Sequence, residues 1–222
     1  MKKLVVQALA KFFFGFALVM LLVFLPAGSL SFVNGWIFMG LLFVPMFIVG
    51  MILMFRNPDL LRKRLDGKEK QKEQKGVVAV SGLMFIAGFV TAGLNYRFGW
   101  LKLSDWVVAA GCVAFILAYI MYGETLRENA YISRTIEVQE NQKVIDTGLY
   151  GVVRHPMYTA TIFMFLAVPL ILGSLYSFLI FLIYPFIIVV RILNEEKLLT
   201  EQLEGYADYK QRVRYRLLPF LW

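Results

Sequence analysis

Apolar residues occur along this chain in long, nearly unbroken runs separated by short polar segments. Four such runs lie at approximately 12–30, 33–55, 77–95 and 106–122. A helix of about 20 residues crosses a hydrocarbon core of about 30 Å. We therefore predict four membrane-spanning helices, preceded by an interfacial helical turn over residues 2–11.

A longer apolar run covers residues 157–190 and needs a different interpretation. As one helix it would be about 50 Å long, well beyond the thickness of the membrane core. Gly173 and Ser174 lie near its middle, and Arg154 and Arg191 flank its ends. We predict a helix-turn-helix hairpin with both ends on one side of the membrane. A single long, tilted helix is the alternative.

Two polar segments flank this hairpin. Residues 123–155 contain short alternating runs around 140–142, which predict a small β-hairpin or an extended loop. After the hairpin, apolar side chains recur at helical spacing and predict an amphipathic helix against the membrane or the loops: Leu199, Leu203, Tyr206, Tyr209 and Val213. The fold class predicted is all-α, a polytopic helical membrane protein with about five or six transmembrane helices.

Composition supports this class and charge suggests an orientation. Hydrophobic residues make up 59% of the 222 residues, and the net charge is +8. The basic residues cluster beside apolar runs, notably within 56–76, as the positive-inside rule expects of cytoplasmic segments: Arg56, Arg62, Lys63, Arg64, Lys68, Lys70, Lys72 and Lys75. We therefore expect both termini in the cytoplasm, and we expect no nucleic-acid partner.

Candidate chemistry lies at the first foot of the hairpin. Pro156 favours the first helical position, and it disfavours helical backbone at His155, the residue before it. Arg154 and His155 thus precede a helix N-terminus, which favours a bound carboxylate or phosphate. The alternative is that both residues only anchor the chain at lipid headgroups.

The second foot carries the adjacent carboxylates Glu195 and Glu196. They could hold ribose hydroxyls or an ammonium group, although an ordinary helical ion pair between Arg191 and Glu195 is equally compatible with their spacing. Three tyrosines could stack on a nucleobase or contact a sulfonium: Tyr158, Tyr206 and Tyr209. The sequence has no GxGxxG, P-loop or GxSxG motif, and no His/Cys cluster that predicts a metal site.

These segments together resemble a known family. T-G-L-Y-G-V-V-R-H-P-M-Y spans 147–158, E-E-K-L-L begins at 195, Y-A-D-Y-K-Q-R-V begins at 206, and R-L-L-P follows near the end. The pattern resembles the superfamily of isoprenylcysteine carboxyl methyltransferases and phospholipid methyltransferases, which are integral membrane enzymes. N-P-D-L-L at 57–61 is also similar to a family element, whereas Ala160 stands where many members have Gly or Ser.

The resemblance implies S-adenosylmethionine as the methyl donor and a lipophilic acceptor that arrives from the bilayer. It implies one membrane domain over 1–222, with transmembrane helices in 1–126 and a catalytic core with a cytoplasmic cofactor pocket in 127–222. The acceptor stays open among prenylcysteine, phospholipid amine, phenol and small thiol or acid. The residues assigned to the cofactor are His155, Pro156, Tyr158, Glu195, Glu196, Tyr206 and Tyr209, and those assigned to catalysis are Arg154, Arg191 and Glu196.

Two other functions are compatible with the same features. Membrane sterol and lipid reductases share a related C-terminal architecture, and a basic tail could hold the 2′-phosphate of NADPH. A scaffold or small transporter is the non-catalytic alternative, although charged residues are scarce within the apolar runs.

Overall fold

The computed structural model describes residues 2–66, 72–133 and 135–222. Within these ranges the regular structure is entirely helical. The helices are α1 (Lys2–Ala27), α2 (Val33–Arg56), α3 (Pro58–Leu65), α4 (Lys72–Phe98), α5 (Asp105–Glu128), α6 (Pro156–Ile171), α7 (Leu175–Phe181), α8 (Tyr184–Gln202) and α9 (Tyr206–Arg212). A short 3₁₀ turn covers Gly148–Gly151. The predicted all-α class is therefore confirmed.

Five helical stretches of the described chain are long and apolar enough to cross a membrane: Lys2–Ala27, Val33–Arg56, Gln74–Phe98, Asp105–Glu128 and Leu175–Gln202. Large apolar side chains such as Phe14, Phe55 and Phe186 are exposed on the outer faces of these helices. Such a surface is stable when it faces lipid. The protein is a multi-pass membrane protein.

The first helix is longer than the apolar run that predicts it. The helical turn predicted over residues 2–11 is present, and it continues into the first span without a break. The physical reason is a small cluster in which Leu4 is buried against Met54 and Leu61, so that the first turns of α1 pack on α2 and α3. The basic residues predicted to face the cytoplasm in 56–76 include Lys68 and Lys70, which lie outside the described residues.

The predicted hairpin is confirmed. Helix α6 ends at Ile171, and Gly173 adopts a left-handed backbone with φ of 70°. Glycine accepts this conformation without a steric cost. The Ser174 side chain then accepts a hydrogen bond from the Ser177 amide and caps α7. One long tilted helix is excluded.

The returning arm of the hairpin is not one regular helix. It comprises α7 and α8, which are separated by a break at residues 182–183. Helix α7 packs closely on α4, because the Ser177 hydroxyl donates to the Gly88 carbonyl at 2.9 Å and the Phe181 ring lies against Gly88. Pro185 stands in the first turn of α8, where the missing amide hydrogen costs nothing.

The C-terminal segment also differs from a continuous amphipathic helix. Helix α8 ends at Gln202, and Gly205, with φ of 79°, turns the chain into the short α9. The predicted apolar stripe forms one cluster with two residues of the preceding loop: Leu199, Leu203, Tyr206, Tyr209 and Val213 pack with Val138 and Val144. The tail therefore covers the extended loop. The alternative of a β-hairpin in that loop is wrong, because the described residues of the loop form a turn without strands.

Candidate functional site

The turn before α6 is fixed by backbone pairing with the C-terminal tail. The Arg154 amide donates to the Tyr215 carbonyl and the His155 amide donates to the Arg216 carbonyl, each at 2.9 Å. His155 has non-helical backbone with φ of −127° and ψ of 58°, and α6 begins at Pro156 as its sequence position predicts. A further bond from the Thr159 hydroxyl to the Leu217 carbonyl at 2.8 Å anchors the first turn of α6.

Glu196 is the centre of a buried charge cluster at this turn. Its Oε1 accepts from Arg154 Nε at 2.6 Å, and its Oε2 accepts from Arg216 Nε at 2.9 Å. His155 Nε2 lies 3.3 Å from the same Oε1. The Arg154 guanidinium also donates to the Val213 and Arg214 carbonyls. The cluster therefore joins both feet of the hairpin to the tail.

Glu195 points to a different environment, although it adjoins Glu196. Its Oε2 accepts a 2.5 Å hydrogen bond from the Tyr158 hydroxyl. The same hydroxyl accepts from Arg191 Nε at 2.9 Å, and Arg191 Nη1 donates to Gln74 Oε1 at 3.3 Å. Tyr158 thus links the carboxylate to the guanidinium, and Gln74 connects this network to α4.

A pocket opens beside these groups. It encloses about 830 Å³ of empty space, counting the open solvent at its mouth. Seven of the predicted site residues line it: Arg154, His155, Tyr158, Arg191, Glu195, Tyr206 and Tyr209. Pro156 and Glu196 do not line the pocket. They stand behind its wall, where Pro156 begins α6 and Glu196 holds the two arginines.

Residues 106–205 match the family model of the phospholipid methyltransferases. This part of the chain is therefore similar to that family. The family lies in the methyltransferase superfamily that the sequence motifs resemble, so the resemblance is confirmed, and it indicates a membrane methyltransferase. No curated protein matches the chain as a close relative.

The phospholipid methyltransferase segment contains the turn, the hairpin and both glutamates, whereas α9 and the tail follow it. These later residues still complete the pocket. The Tyr209 hydroxyl donates to the Tyr150 carbonyl at 2.8 Å. Burial, and then the charge of Glu196, raise the pKa of Tyr206. Its buried hydroxyl is therefore protonated at neutral pH, and it has no hydrogen-bond partner within the described part of the chain.

Sequence reasoning did not find the loop wall of this pocket. Polar side chains of the segment between α5 and α6 line it opposite the hairpin, among them Asn129, Ser133, Thr135 and Gln142. No motif marks them, since polar residues are ordinary in a loop between two spans. Gln74 was missed for a different reason, because only the packing of α4 on α8 brings it to Arg191.

Proposed function

We propose that this protein is an S-adenosylmethionine-dependent methyltransferase that transfers a methyl group to a lipophilic acceptor at the cytoplasmic face of the membrane. One observation carries the proposal. The two feet of the hairpin, which lie about 40 residues apart in the family-matched segment, meet at one pocket through Tyr158 and Glu195. The membrane methyltransferase family favours this activity over a reductase or a scaffold.

The pocket fits the cofactor in its polar and aromatic character. Glu195 offers carboxylate oxygens to ribose hydroxyls or to the ammonium group, and the unpaired Tyr206 hydroxyl offers a further hydrogen bond. The rings of Tyr206 and Tyr209 lie 5.7 Å apart and present faces for a nucleobase or a cation. An orphaned polar group in a pocket is costly unless a ligand or water satisfies it.

When bound, S-adenosylmethionine supplies an electrophilic methyl group on a sulfonium. The protein then has to align the acceptor in line with that methyl group and to exclude water. Arg191 lies where the apolar part of α8 meets the pocket, so its guanidinium is placed to orient an oxygen-bearing acceptor from the bilayer. Arg154 and Glu196 position the wall rather than contact the acceptor.

The role of a general base depends on the acceptor. A carboxylate acceptor needs none, whereas an amine or a phenol must lose a proton. Glu196 is a poor candidate, because guanidinium groups donate to both of its oxygens and it stands behind the pocket wall. Glu195 and His155, which line the pocket, are the candidates for that proton.

Isothermal titration calorimetry on the detergent-solubilised protein tests the proposal, with S-adenosylmethionine and S-adenosylhomocysteine as ligands. Tyr206→Phe is expected to weaken binding about 5- to 10-fold, the effect of one lost hydrogen bond of about 1–1.5 kcal/mol. Glu195→Gln is expected to weaken it at least as much. Tyr176→Phe, an exposed tyrosine on α7, is the matched control and should bind as the wild type does.

Two results would overturn this proposal. One is the absence of binding to folded wild-type protein, and the other is binding that neither Tyr206→Phe nor Glu195→Gln changes. NADPH is titrated in the same way, and a clear preference for NADPH would support the reductase instead. Transfer of label from S-[methyl-³H]adenosylmethionine into solvent-extractable membrane lipid then identifies the acceptor class.

A further inference from the structure

A second polar cavity lies at the opposite end of the helical bundle. It encloses about 590 Å³ of empty space, counting its open mouth, between the start of α2, the end of α4, the start of α5 and the α6–α7 turn. Helix α6 has 16 residues and runs from the first site to this turn, so about 24 Å separate the two. The cavity is therefore distinct from the methyltransferase pocket.

The interior of this cavity contains an unsatisfied buried amide. Asn95 is only 2% exposed, and its Oδ1 has no hydrogen-bond partner among the residues that the structure describes. A second amide, that of Asn34, also lines the cavity. An unpaired buried acceptor costs about 1–3 kcal/mol. A ligand that donates an N–H or O–H to Asn95 would remove this cost.

Backbone and aromatic contacts form the wall of the cavity around Asn95. The Leu103 amide donates to the Gly173 carbonyl at 3.2 Å, which holds the α4–α5 connection against the hairpin turn. A Cβ atom on Gly173 would lie 3.0 Å from Asn34 Nδ2, so a larger residue would intrude beside that amide. Phe32 and Tyr96 stack at 4.4 Å and form an aromatic side of the cavity.

The mouth carries two opposite charges. Lys102 and Asp105 both line the cavity and both are exposed to solvent. A lysine attracts phosphate, and a carboxylate attracts a cation that can also donate hydrogen bonds. The cavity thus combines a cationic group, an anionic group and a buried acceptor within one site at the end of the membrane-spanning helices.

We propose that this cavity binds the phosphoethanolamine headgroup of a phospholipid in the leaflet opposite the methyltransferase pocket. The ammonium group donates to Asn95 Oδ1 and faces Asp105, while the phosphate faces Lys102. A phosphocholine headgroup has no N–H to donate, and a phosphoglycerol headgroup has no positive charge for Asp105. A phosphoserine headgroup adds a carboxylate that Asp105 repels. Ethanolamine is therefore the headgroup that satisfies all three residues.

Equilibrium binding to the full chain in detergent micelles tests this proposal, with native mass spectrometry as the readout. The probes are short-chain phosphatidylethanolamine, phosphatidylcholine and phosphatidylglycerol, together with soluble glycerophosphoethanolamine. We expect the ethanolamine lipid to bind about tenfold more tightly than the other two lipids. Asn95→Leu and Asp105→Asn should each abolish this preference. Asp59→Asn, which removes an exposed carboxylate from the first turn of α3, is the control and should retain it.

The outcomes separate this cavity from the first site. Competition by soluble glycerophosphoethanolamine would show that the headgroup suffices, and competition by the lipid alone would show that the acyl chains contribute; both support the proposal. Equal binding of ethanolamine and choline lipids would overturn it. A preference for the ethanolamine lipid that survives in Asp105→Asn would also overturn it, because Asp105 is exposed and this variant is expected to fold. Loss of the preference in Glu195→Gln would overturn it as well, since that loss would place the lipid in the methyltransferase pocket.

Discussion

Glu195 and Glu196 are adjacent in the sequence, but their environments in the structure differ. Glu196 is 3% exposed and lies between two guanidinium groups, whereas Glu195 is half-buried and faces the pocket with one bond to Tyr158. Successive residues of a helix point about 100° apart. One glutamate can therefore stabilise the fold while the next is available to a ligand.

Exchanging each carboxylate for an amide should separate the two roles. Glu196→Gln leaves Arg154 buried without its counter-charge, and loss of one partner of a buried ion pair costs about 3–5 kcal/mol. Glu195→Gln keeps an oxygen that can accept from Tyr158 and removes only the charge at the edge of the pocket, so it should cost about 1 kcal/mol or less in stability. Urea titration of both variants in the same detergent measures the difference, and equal destabilisation would contradict these roles.

The hairpin shows which features of an element the sequence can predict. Its length exceeded the membrane thickness and Gly173 lay near its middle, so the bend followed from two local observations. The break between α7 and α8 has a local signal in Pro185, which stands in the first turn of α8. The positions of Ser177 and Phe181 have none, because they are set by packing on Gly88 of α4. Contacts between segments that lie about 90 residues apart are invisible to pattern and spacing.

The close approach of α7 to α4 gives a prediction at the scale of these elements. A Cβ atom at Gly88 would lie 2.2 Å from the Phe181 ring, whereas a Cβ atom at Gly82, on the same helix, meets nothing within 4 Å. Gly88→Ala should therefore destabilise the protein by about 1–3 kcal/mol through overpacking. Gly82→Ala should be neutral or stabilising, since alanine favours helix over glycine by about 1 kcal/mol.

Thermal unfolding of the two glycine variants compares them directly. The double variant Gly88→Ala/Phe181→Leu should recover part of the loss, because the smaller side chain removes the ring edge that the new methyl group meets. Equal melting temperatures for Gly88→Ala and Gly82→Ala would show that α7 does not pack on α4 at this position.

The candidate site was predictable in its motifs but not in its assembly. The residues Arg154, His155, Tyr158, Glu195 and Glu196 were all singled out from the chain, and the structure places them in two adjoining networks, one around Glu196 and one around Tyr158. The different roles of Glu195 and Glu196 were not predictable. They depend on Arg216 and on tail carbonyls that only tertiary folding places beside the turn. Backbone pairing of this kind involves no particular side chain.

At the scale of the whole molecule, the two ends of the bundle differ in charge and in chemistry. The end that contains the proposed methyltransferase pocket, called the methyltransferase end below, holds the network around Glu196 and is flanked by clustered basic residues, including Arg62, Lys63 and Arg64. The other end has short connections with Arg97 and Lys102 as its basic residues in 96–105. Each apolar helix or hairpin arm runs in the opposite direction to the one before it. The first residues of α1 and the last residues of α9 therefore both lie at the methyltransferase end.

This asymmetry predicts how the protein sits in the membrane. Segments rich in lysine and arginine remain in the cytoplasm, so the methyltransferase end should face the cytoplasm and the α4–α5 connection should face outward.

Labelling with a membrane-impermeant maleimide checks this orientation in a Cys112→Ala background, which removes the one native cysteine. Ser104→Cys is placed in the outward connection, where the native side chain makes no capping bond, and Asp208→Cys is placed on the exposed face of α9. In intact cells, the cysteine at 104 should react at once and the cysteine at 208 only after permeabilisation. The reverse pattern would invert the orientation, and the pocket would then open away from the cytoplasm.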